Sequence, residues 1–190
     1  MESKRLRTWH HPVRTPLLCC MTAGLLLCPL FGALYRRQGA PWLLGAAVAF
    51  GMAAYQISLR FLAPALLFPV FRRRYDAGAP WFRPRPWEAG LYRRLGVKKW
   101  KKRMPTYEPG EFSLEQHSPE EIVENMCHAE LVHELTAALS FTELFFARRF
   151  GSFPIFLATA LLSAAIECPF ILIQRYNRPR LVRLMEKKKT

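Results

Sequence analysis

Apolar residues along the chain gather into long runs, separated by stretches rich in arginine, lysine and proline. Four of the runs approach the length of about 20 residues that a helix needs to cross a bilayer. The predicted spans lie near residues 16–34, 42–59, 131–147 and 155–173. The second run is rich in glycine and alanine, which let membrane helices approach closely. The sequence therefore predicts one all-α membrane domain over residues 1–190, with about four transmembrane helices in two hairpins.

The stretch between the second and third runs has a different character. Residues 61–71 form an apolar piece, FLAPALLFPVF, which two prolines interrupt and which is too short to span a bilayer. We expect this piece to be a separate interfacial or re-entrant segment. Arginine, lysine, proline and tryptophan then dominate, a composition suited to the lipid head-group layer. Residues 61–118 are therefore predicted to form a basic interfacial segment on the cytosolic side.

A helix-start signal precedes the third run. Ser118 can cap a helix through its hydroxyl, and Pro119 suits the first helical position. The acids that follow, Glu120 and Glu121, complement the positive end of the helix dipole. The pattern predicts a helix that begins beside Ser118 and then enters the membrane.

The distribution of positive charge orients the predicted spans. Of the 28 lysines and arginines, 4 precede the first span, 13 lie between the second and third spans, and 7 follow the fourth. The two remaining links carry one arginine pair each. Because positive residues concentrate on the cytoplasmic side, both termini are predicted to be cytoplasmic. The net charge of +14 is then explained by anionic membrane lipids as partners, and nucleic acid is not expected.

Metal and disulfide chemistry find little support in the sequence. The five cysteines lack CxxC spacing and an even-numbered framework, so no disulfide or zinc site is expected. Glu130, His133 and Glu134 cluster, but the HExxH spacing is absent, so no metal is expected either. The oligomeric state is left open.

Glu130 and His133 are the main candidates for chemistry. They lie three residues apart on one predicted helix face, at the membrane entry, where an unpaired carboxylate is costly to desolvate. A carboxylate can hold imidazole in one tautomer, which leaves the other nitrogen free to take a proton from a hydroxyl. His133 is therefore a candidate general base with Glu130 as its orienting partner. The alternative is a surface helix that carries both residues without a catalytic role.

The fourth run and its tail add further candidates. Glu167 lies inside the run, so it either lines a substrate path or pairs with an arginine at the cytosolic boundary. The motif QRYNRPR follows directly, with donors suited to phosphate or to an oxyanion. The candidate substrate contacts here are Arg175, Tyr176, Arg178 and Arg180, with Asn177 as a catalytic candidate. The alternative for the arginines is an anchor that fixes topology.

Three pieces of the chain resemble a known family. They are LYRRLGVKKWKKRMP at residues 91–105, CHAELVH at 127–133 and CPFILIQRYNRPRL at 168–181. Together they are similar to the small membrane glycosyl-4,4'-diaponeurosporenoate acyltransferases, which cap glycosylated carotenoid acids in staphyloxanthin-type pigment synthesis. The resemblance implies an integral protein of a bacterial-type plasma membrane. It also implies transfer of a fatty acyl group from a cytosolic donor, such as acyl-CoA as co-substrate, to a hydroxyl of a membrane glycolipid or another lipid.

The resemblance and the candidate residues together suggest roles. His133 would act as general base with Glu130 orienting it, while Asn177 and Arg178 would donate to the oxyanion. Contacts to the acyl donor are expected from Lys98, Lys99, Trp100 and Lys101. No bound cofactor is expected.

Two departures from the family pattern leave alternatives open. His128 stands where the family pattern suggests arginine, and Glu167 stands where an amide such as asparagine is expected. The acceptor could therefore be a different lipid. Two other functions remain: a small lipid methyltransferase or reductase, although no glycine-rich nucleotide motif is present, and a non-catalytic lipid-binding or scaffold protein.

Overall fold

The computed structural model describes residues 13–71, 75–105, 109–151 and 153–189, and within these ranges it contains helices and no strands. The α-helices are α1 (Arg14–Gln38), α2 (Pro41–Phe71), α3 (Glu88–Arg94), α4 (Val97–Trp100), α5 (Pro119–Ser140), α6 (Leu144–Phe150) and α7 (Phe153–Lys189). Short 3-10 helices cover Lys101–Arg103, Pro109–Phe112 and Phe141–Glu143. The all-α prediction is confirmed for these residues. The basic residues before position 13 and those at 72–74 lie outside them.

Within the part of the chain that the structure describes, three helices are long and apolar enough to cross a membrane. They are α1, α2 and α7, and they contain the runs predicted near residues 16–34, 42–59 and 155–173. The run at 131–147 is instead divided among α5, the 3-10 helix Phe141–Glu143 and α6. Five glutamates interrupt the apolar character of α5, so this helix has no long uncharged stretch. The count of four spans is therefore not confirmed.

Helix α2 corrects the prediction for residues 61–71. This piece is not a separate segment, because α2 continues without a break from Pro41 to Phe71. Pro64 and Pro69 each lack a backbone N–H, but they lie inside the helix. In lipid an unpaired backbone group costs several kcal/mol, so a chain keeps its remaining helical hydrogen bonds around a proline. The same holds for α7, whose helix passes through Pro169 and Pro179.

Helices α1 and α2 pack closely through small residues. Gly24 is buried, and a Cβ atom there would lie 2.8 Å from both the Phe50 carbonyl oxygen and the Ala54 Cβ. Further along the contact, Phe31 stacks on Phe50 with ring centroids 5.5 Å apart. The glycine- and alanine-rich run thus provides the close helix approach that the sequence predicts.

Helices α2, α5 and α7 meet along a shared line. On α5 and α7 the contacts pair His133 with Glu167 and Ser140 with Ser163, so these two helices are antiparallel. Gln56 and Arg60 of α2 contact Ser163 and Glu167, so α2 and α7 are parallel. The interior between the three helices holds the polar groups described below.

The basic segment is folded against the ends of α5 and α7. One apolar cluster joins Tyr75 and Phe82 to Cys127 of α5. Another joins Tyr92 and Val97 to Tyr176 of α7, outside the apolar part of that helix.

The predicted start of α5 is confirmed in detail. The Ser118 hydroxyl accepts from the Glu121 backbone N–H at 3.2 Å, and the Glu121 carboxylate accepts from the Ser118 N–H at 2.8 Å. This reciprocal capping box fixes the point where α5 leaves the basic segment.

Candidate active site

A buried ion-pair cluster joins the basic segment to α5 and α7. Glu130 is fully buried and accepts from Arg175 at 2.6 Å and from Arg178. Arg175 also donates to Glu88 at 2.6 Å, and Arg178 donates to the Phe82 carbonyl at 2.7 Å. We call Glu88, Glu130, Arg175 and Arg178 the arginine clamp. It links α3, α5 and α7 around two carboxylates.

The clamp gives Glu130 partners other than His133. Each of its two carboxylate oxygens accepts from an arginine, whereas the His133 imidazole is bonded to a different carboxylate. A buried carboxylate requires positive partners to offset its desolvation, and the long arginines of α7 provide them. Arg178 is itself only 2% exposed, so the clamp, and not a phosphate, occupies the guanidinium that was expected to bind substrate.

Glu167 is the carboxylate that contacts His133. Its Oε2 lies 2.7 Å from His133 Nδ1, and its Oε1 accepts from Arg60 at 2.6 Å. Glu167 is 1% exposed, and Phe170 stacks on the imidazole with ring centroids 4.8 Å apart. We call Arg60, His133 and Glu167 the histidine triad. Glu167 thus pairs with an arginine, as one of its two sequence-based interpretations proposed, and that arginine is Arg60 of α2.

The geometry of the histidine triad fixes the state of the imidazole. A carboxylate only accepts hydrogen bonds, so the proton in the contact with Glu167 lies on Nδ1 of His133. In the neutral form of this imidazole the lone pair lies on Nε2, which has no partner among the described residues. The His133 side chain is 25% exposed and so is not sealed inside the bundle. Such an imidazole can take a proton from a hydroxyl group.

A second polar cluster lies deeper in the same interior. Glu143 is fully buried and accepts from the Gln56 amide and from the Thr159 hydroxyl, each at 2.6 Å. The Gln56 oxygen accepts from Ser163 at 2.7 Å and from Ser140 at 3.1 Å. We call these five residues the glutamine cluster. Its bonds hold the Gln56 amide in one orientation.

Sequence reasoning missed Arg60 and the glutamine cluster. One signal was present, because Thr159, Ser163 and Glu167 recur every four residues in an apolar run and so share one face of α7. Gln56 and Arg60 have the same spacing on α2. Two polar rows at helical spacing in two membrane runs indicate helices that face each other.

Residues of the C-terminal half of α7 form a separate cationic cluster with Lys101. Two cations contact the Tyr176 ring. The Lys101 ammonium lies 4.7 Å from the ring centroid, and the Arg180 guanidinium carbon lies 3.4 Å from it. Lys101 also donates to the Asn177 amide oxygen at 2.5 Å. Partial burial, followed by the charges of Arg180, Lys102 and Lys98, lowers the pKa of Lys101. Positive charge is thus concentrated here.

The predicted donor contacts differ in their accessibility. Lys98 and Lys99 are exposed next to the cationic cluster. The Trp100 indole N–H donates to the Leu95 carbonyl at 2.9 Å, so this side chain closes the turn between α3 and α4. Asn177 lies ten residues beyond Glu167, or about 15 Å along the axis of α7. The structure therefore brings Asn177 to Lys101 and places it far from the triad carboxylate along this helix.

One of the two departures from the family pattern has a structural partner in the basic segment. His128 Nδ1 lies 2.7 Å from the Tyr75 hydroxyl, and the two rings are in contact. The other departure, Glu167, is the centre of the histidine triad. His128 thus has a partner that the sequence pattern did not indicate, and Glu167 contacts His133 in addition to an arginine.

A cleft of about 630 Å³ opens between α2 and α7. Arg60, Gln56, Thr159 and Ser163 contribute its polar groups, and the remaining lining is apolar. We call it the α2–α7 cleft. Because Arg60 both lines the cleft and bonds Glu167, the cleft adjoins the histidine triad.

These features define a helical membrane protein with a histidine–carboxylate pair held inside its helix bundle. Comparison with protein families gives the particular family: residues 78–187, more than half of the chain, match the family described as glycosyl-4,4'-diaponeurosporenoate acyltransferase. The chain belongs to this family of acyltransferases of carotenoid biosynthesis. No curated protein and no solved structure matches the chain.

Proposed function

We propose that the protein transfers a fatty acyl group from a cytosolic thioester donor such as acyl-CoA to a hydroxyl of a membrane glycolipid, with His133 as general base. The observation that carries the proposal is the histidine triad, in which Glu167 holds His133 Nδ1 at 2.7 Å and Arg60 holds Glu167. Membership of an acyltransferase family supplies the reaction class. Glu167 replaces Glu130 as the residue that orients the base.

The proposed reaction has two steps, addition of the hydroxyl to the thioester and loss of the thiol. Nε2 of His133 takes the proton of the acceptor hydroxyl while its oxygen forms a bond to the acyl carbonyl carbon. The tetrahedral intermediate then collapses, the carbon–sulfur bond breaks, and the leaving thiolate takes the proton back from Nε2. Arg60 is held beside this centre by its bond to the triad carboxylate, and its remaining N–H groups stabilise the oxyanion. Arg60 therefore takes the role first assigned to Asn177 and Arg178.

The cationic cluster is the proposed site for the donor phosphates. Lys98 and Lys99 are exposed there. Lys101 and Arg180 both contact the Tyr176 ring, and among the described residues neither forms a salt bridge with a carboxylate. Such a concentration of like charge attracts phosphate. Asn177 positions Lys101 through the 2.5 Å hydrogen bond, and Tyr176 supports both cations with its ring.

The proposed topology places this chemistry at the cytosolic side. Since α2 and α7 are parallel, the chain between them must return toward the start of α2, and α5 and α6 make that return. Four crossings then place the basic segment and the C-terminal tail on one side, as the positive-inside rule requires. The donor site faces the cytoplasm in this arrangement.

The first test is acyl transfer by the purified protein. The protein in lipid nanodiscs is incubated with labelled acyl-CoA and a glycolipid extract, and mass spectrometry follows labelled lipid products. We expect a product with the wild type, and a loss of about 10²–10⁴-fold in rate for His133→Ala, the usual contribution of a general base. His117→Ala is the matched control, because His117 also contacts a carboxylate, Glu121 at 3.6 Å, but outside the triad. Equal rates for His133→Ala and the control would exclude His133 as the base.

A further inference from the structure

The two halves of the α2–α7 cleft differ in chemistry. Its polar lining groups on α2, Gln56 and Arg60, lie on successive turns toward one end. From Ala53 back to Pro41 the α2 residues that line the cleft are all apolar. The volume of about 630 Å³ falls within the range of about 300–1,000 Å³ that is typical of pockets for small molecules. The cleft therefore fits a ligand with one polar end and a long apolar remainder.

The apolar half owes its space to small residues. Gly45, Ala49 and Ala53 are spaced four residues apart on α2, so they lie above one another and line the cleft. All three are exposed on the surface of the protein, which opens this half of the cleft toward the lipid. A Cβ atom built at Gly45 meets no other atom within 4 Å. Larger side chains at the three positions would fill the cleft. At Gly45 the first added carbon would displace no neighbouring atom.

The polar half of the cleft leads to the histidine triad. Arg60 lines the cleft and holds Glu167 at 2.6 Å, and Glu167 holds His133. The Gln56 amide is fixed by the glutamine cluster, which uses one of its two N–H groups for Glu143. Two donors, one helical turn apart on α2, thus line the end of the cleft that adjoins the histidine triad.

We propose that the α2–α7 cleft binds the acyl chain of the donor, with the thioester carbonyl at Arg60 and Gln56 and the chain tail toward Gly45. The proposal rests on the acyltransferase function proposed above. Gly45, Ala49 and Ala53 then determine the longest chain that the enzyme accepts. The rise of about 1.5 Å per residue places Ala53 roughly 10 Å and Gly45 roughly 22 Å from Arg60 along α2.

The experiment compares acyl-chain profiles of cleft variants. Rates are measured with saturated acyl-CoA donors from octanoyl to arachidoyl for the wild type, Gly45→Leu and Ala53→Leu. We expect Gly45→Leu to lose the longest chains and to keep the others, and Ala53→Leu to lose medium chains as well. The expected loss in kcat/KM for an excluded chain is about 10- to 200-fold, the range for small volume changes in an apolar pocket.

Ala158→Leu is the matched control, because Ala158 is exposed on α7 next to the cleft residue Thr159 but does not line the cleft. A chain-length profile that is unchanged in both cleft variants, or that changes equally in the control, overturns the proposal. A change only in acceptor preference or only in oligomeric state also overturns it, because the occupant is then the acceptor lipid or a second copy.

A binding measurement separates failure of this proposal from failure of the proposed function. The protein is irradiated with a palmitate analogue that carries a diazirine near its tail, and the modified peptides are identified. Adducts within residues 41–57 and 150–166 that disappear in Gly45→Leu support the cleft even if no acyl transfer is detected. Adducts that lie elsewhere and persist in this variant overturn the proposal, whatever the activity.

Discussion

Two buried glutamates exchange the roles that residue spacing suggested. Glu130 is three residues from His133 on the same helix, but its two oxygens are taken by Arg175 and Arg178. Glu167, on another helix, contacts the imidazole. The difference follows from the reach of the two α7 arginines, because each donates to one oxygen of Glu130 and together they satisfy a buried carboxylate better than one imidazole can. Glu130 therefore contributes to the stability of the protein, and Glu167 contributes to its proposed catalytic activity.

This assignment predicts that Glu130→Gln acts on stability. The change leaves Arg178, 2% exposed, without its negative partner, and breaking a buried ion pair of this kind costs about 3–5 kcal/mol. We expect a lower unfolding midpoint in a denaturant titration in detergent micelles. Glu167→Gln serves for comparison. At a temperature where both variants remain folded, the rate of acyl transfer should fall further below the wild-type rate in Glu167→Gln than in Glu130→Gln. The reverse order would return the orienting role to Glu130.

Lys101 gives a prediction for pH dependence. Its pKa is lowered by burial and by neighbouring cations, so the ammonium loses its proton at a lower pH than an ordinary lysine, whose pKa is about 10.4. Phosphate binding needs the charged form, so binding is complete at low pH and weakens as pH rises through the lowered pKa. We expect KM for acyl-CoA to rise between neutral pH and pH 10 in the wild type. In Lys101→Arg the rise should be absent, because arginine stays charged.

At the scale of the elements, small residues decide how α1 meets α2. The Gly24 backbone approaches Phe50 and Ala54 so closely that even a methyl group has no room. Elsewhere on α1, Gly32 has open space around it. Two glycines of the same apolar helix thus differ in importance for packing: Gly24 is required for close contact with α2, and Gly32 is not.

The pair provides a matched test of helix packing. Gly24→Ala should destabilise the α1–α2 contact by about 1–3 kcal/mol, the usual cost of overpacking, since its Cβ would lie 2.8 Å from backbone and side-chain atoms. Gly32→Ala should be neutral or slightly stabilising, because alanine favours the helix by up to about 1 kcal/mol. Thermal unfolding of both variants in detergent measures the difference. Equal midpoints would show that α1 does not rest on α2 at Gly24.

At the scale of the whole molecule, the region that matches the family contains most of the candidate site but not all of it. The match covers residues 78–187, which contain the arginine clamp, His133 and Glu167. Arg60 and Gln56 lie before it, on α2. The matched region thus supplies the base and its carboxylate, while the preceding helix completes the triad and one wall of the cleft.

The proposed topology is tested by labelling single cysteines with a membrane-impermeant maleimide in intact cells. The background has its five native cysteines replaced by alanine. We expect Gln38→Cys and Arg149→Cys to react from outside, and Leu114→Cys, which is 69% exposed, to react only after permeabilisation. Labelling of positions 38 and 149 from opposite sides would contradict the parallel arrangement of α2 and α7 across the membrane, because these positions precede the starts of the two helices.

Much of the fold follows from the sequence by itself. Apolar runs of bilayer length predict α1, α2 and α7, because a chain in lipid must pair its backbone groups internally. The cap at Ser118 is equally local, since it involves groups three residues apart. The end of α2 was less predictable: prolines suggested a break at 61–71, but the helix continues to Phe71.

The site depended on tertiary structure. Arg60, His133 and Glu167 come from three helices, and 34 residues separate His133 from Glu167 while 107 separate Arg60 from Glu167. Spacing along one helix can identify neighbours on its surface, such as Glu130 and His133, but it cannot say which of them faces which partner. The sequence determined where the helices lie and that charged residues are buried in them. Only the packing of α2, α5 and α7 decided which carboxylate meets the histidine, because buried charges pair across helices.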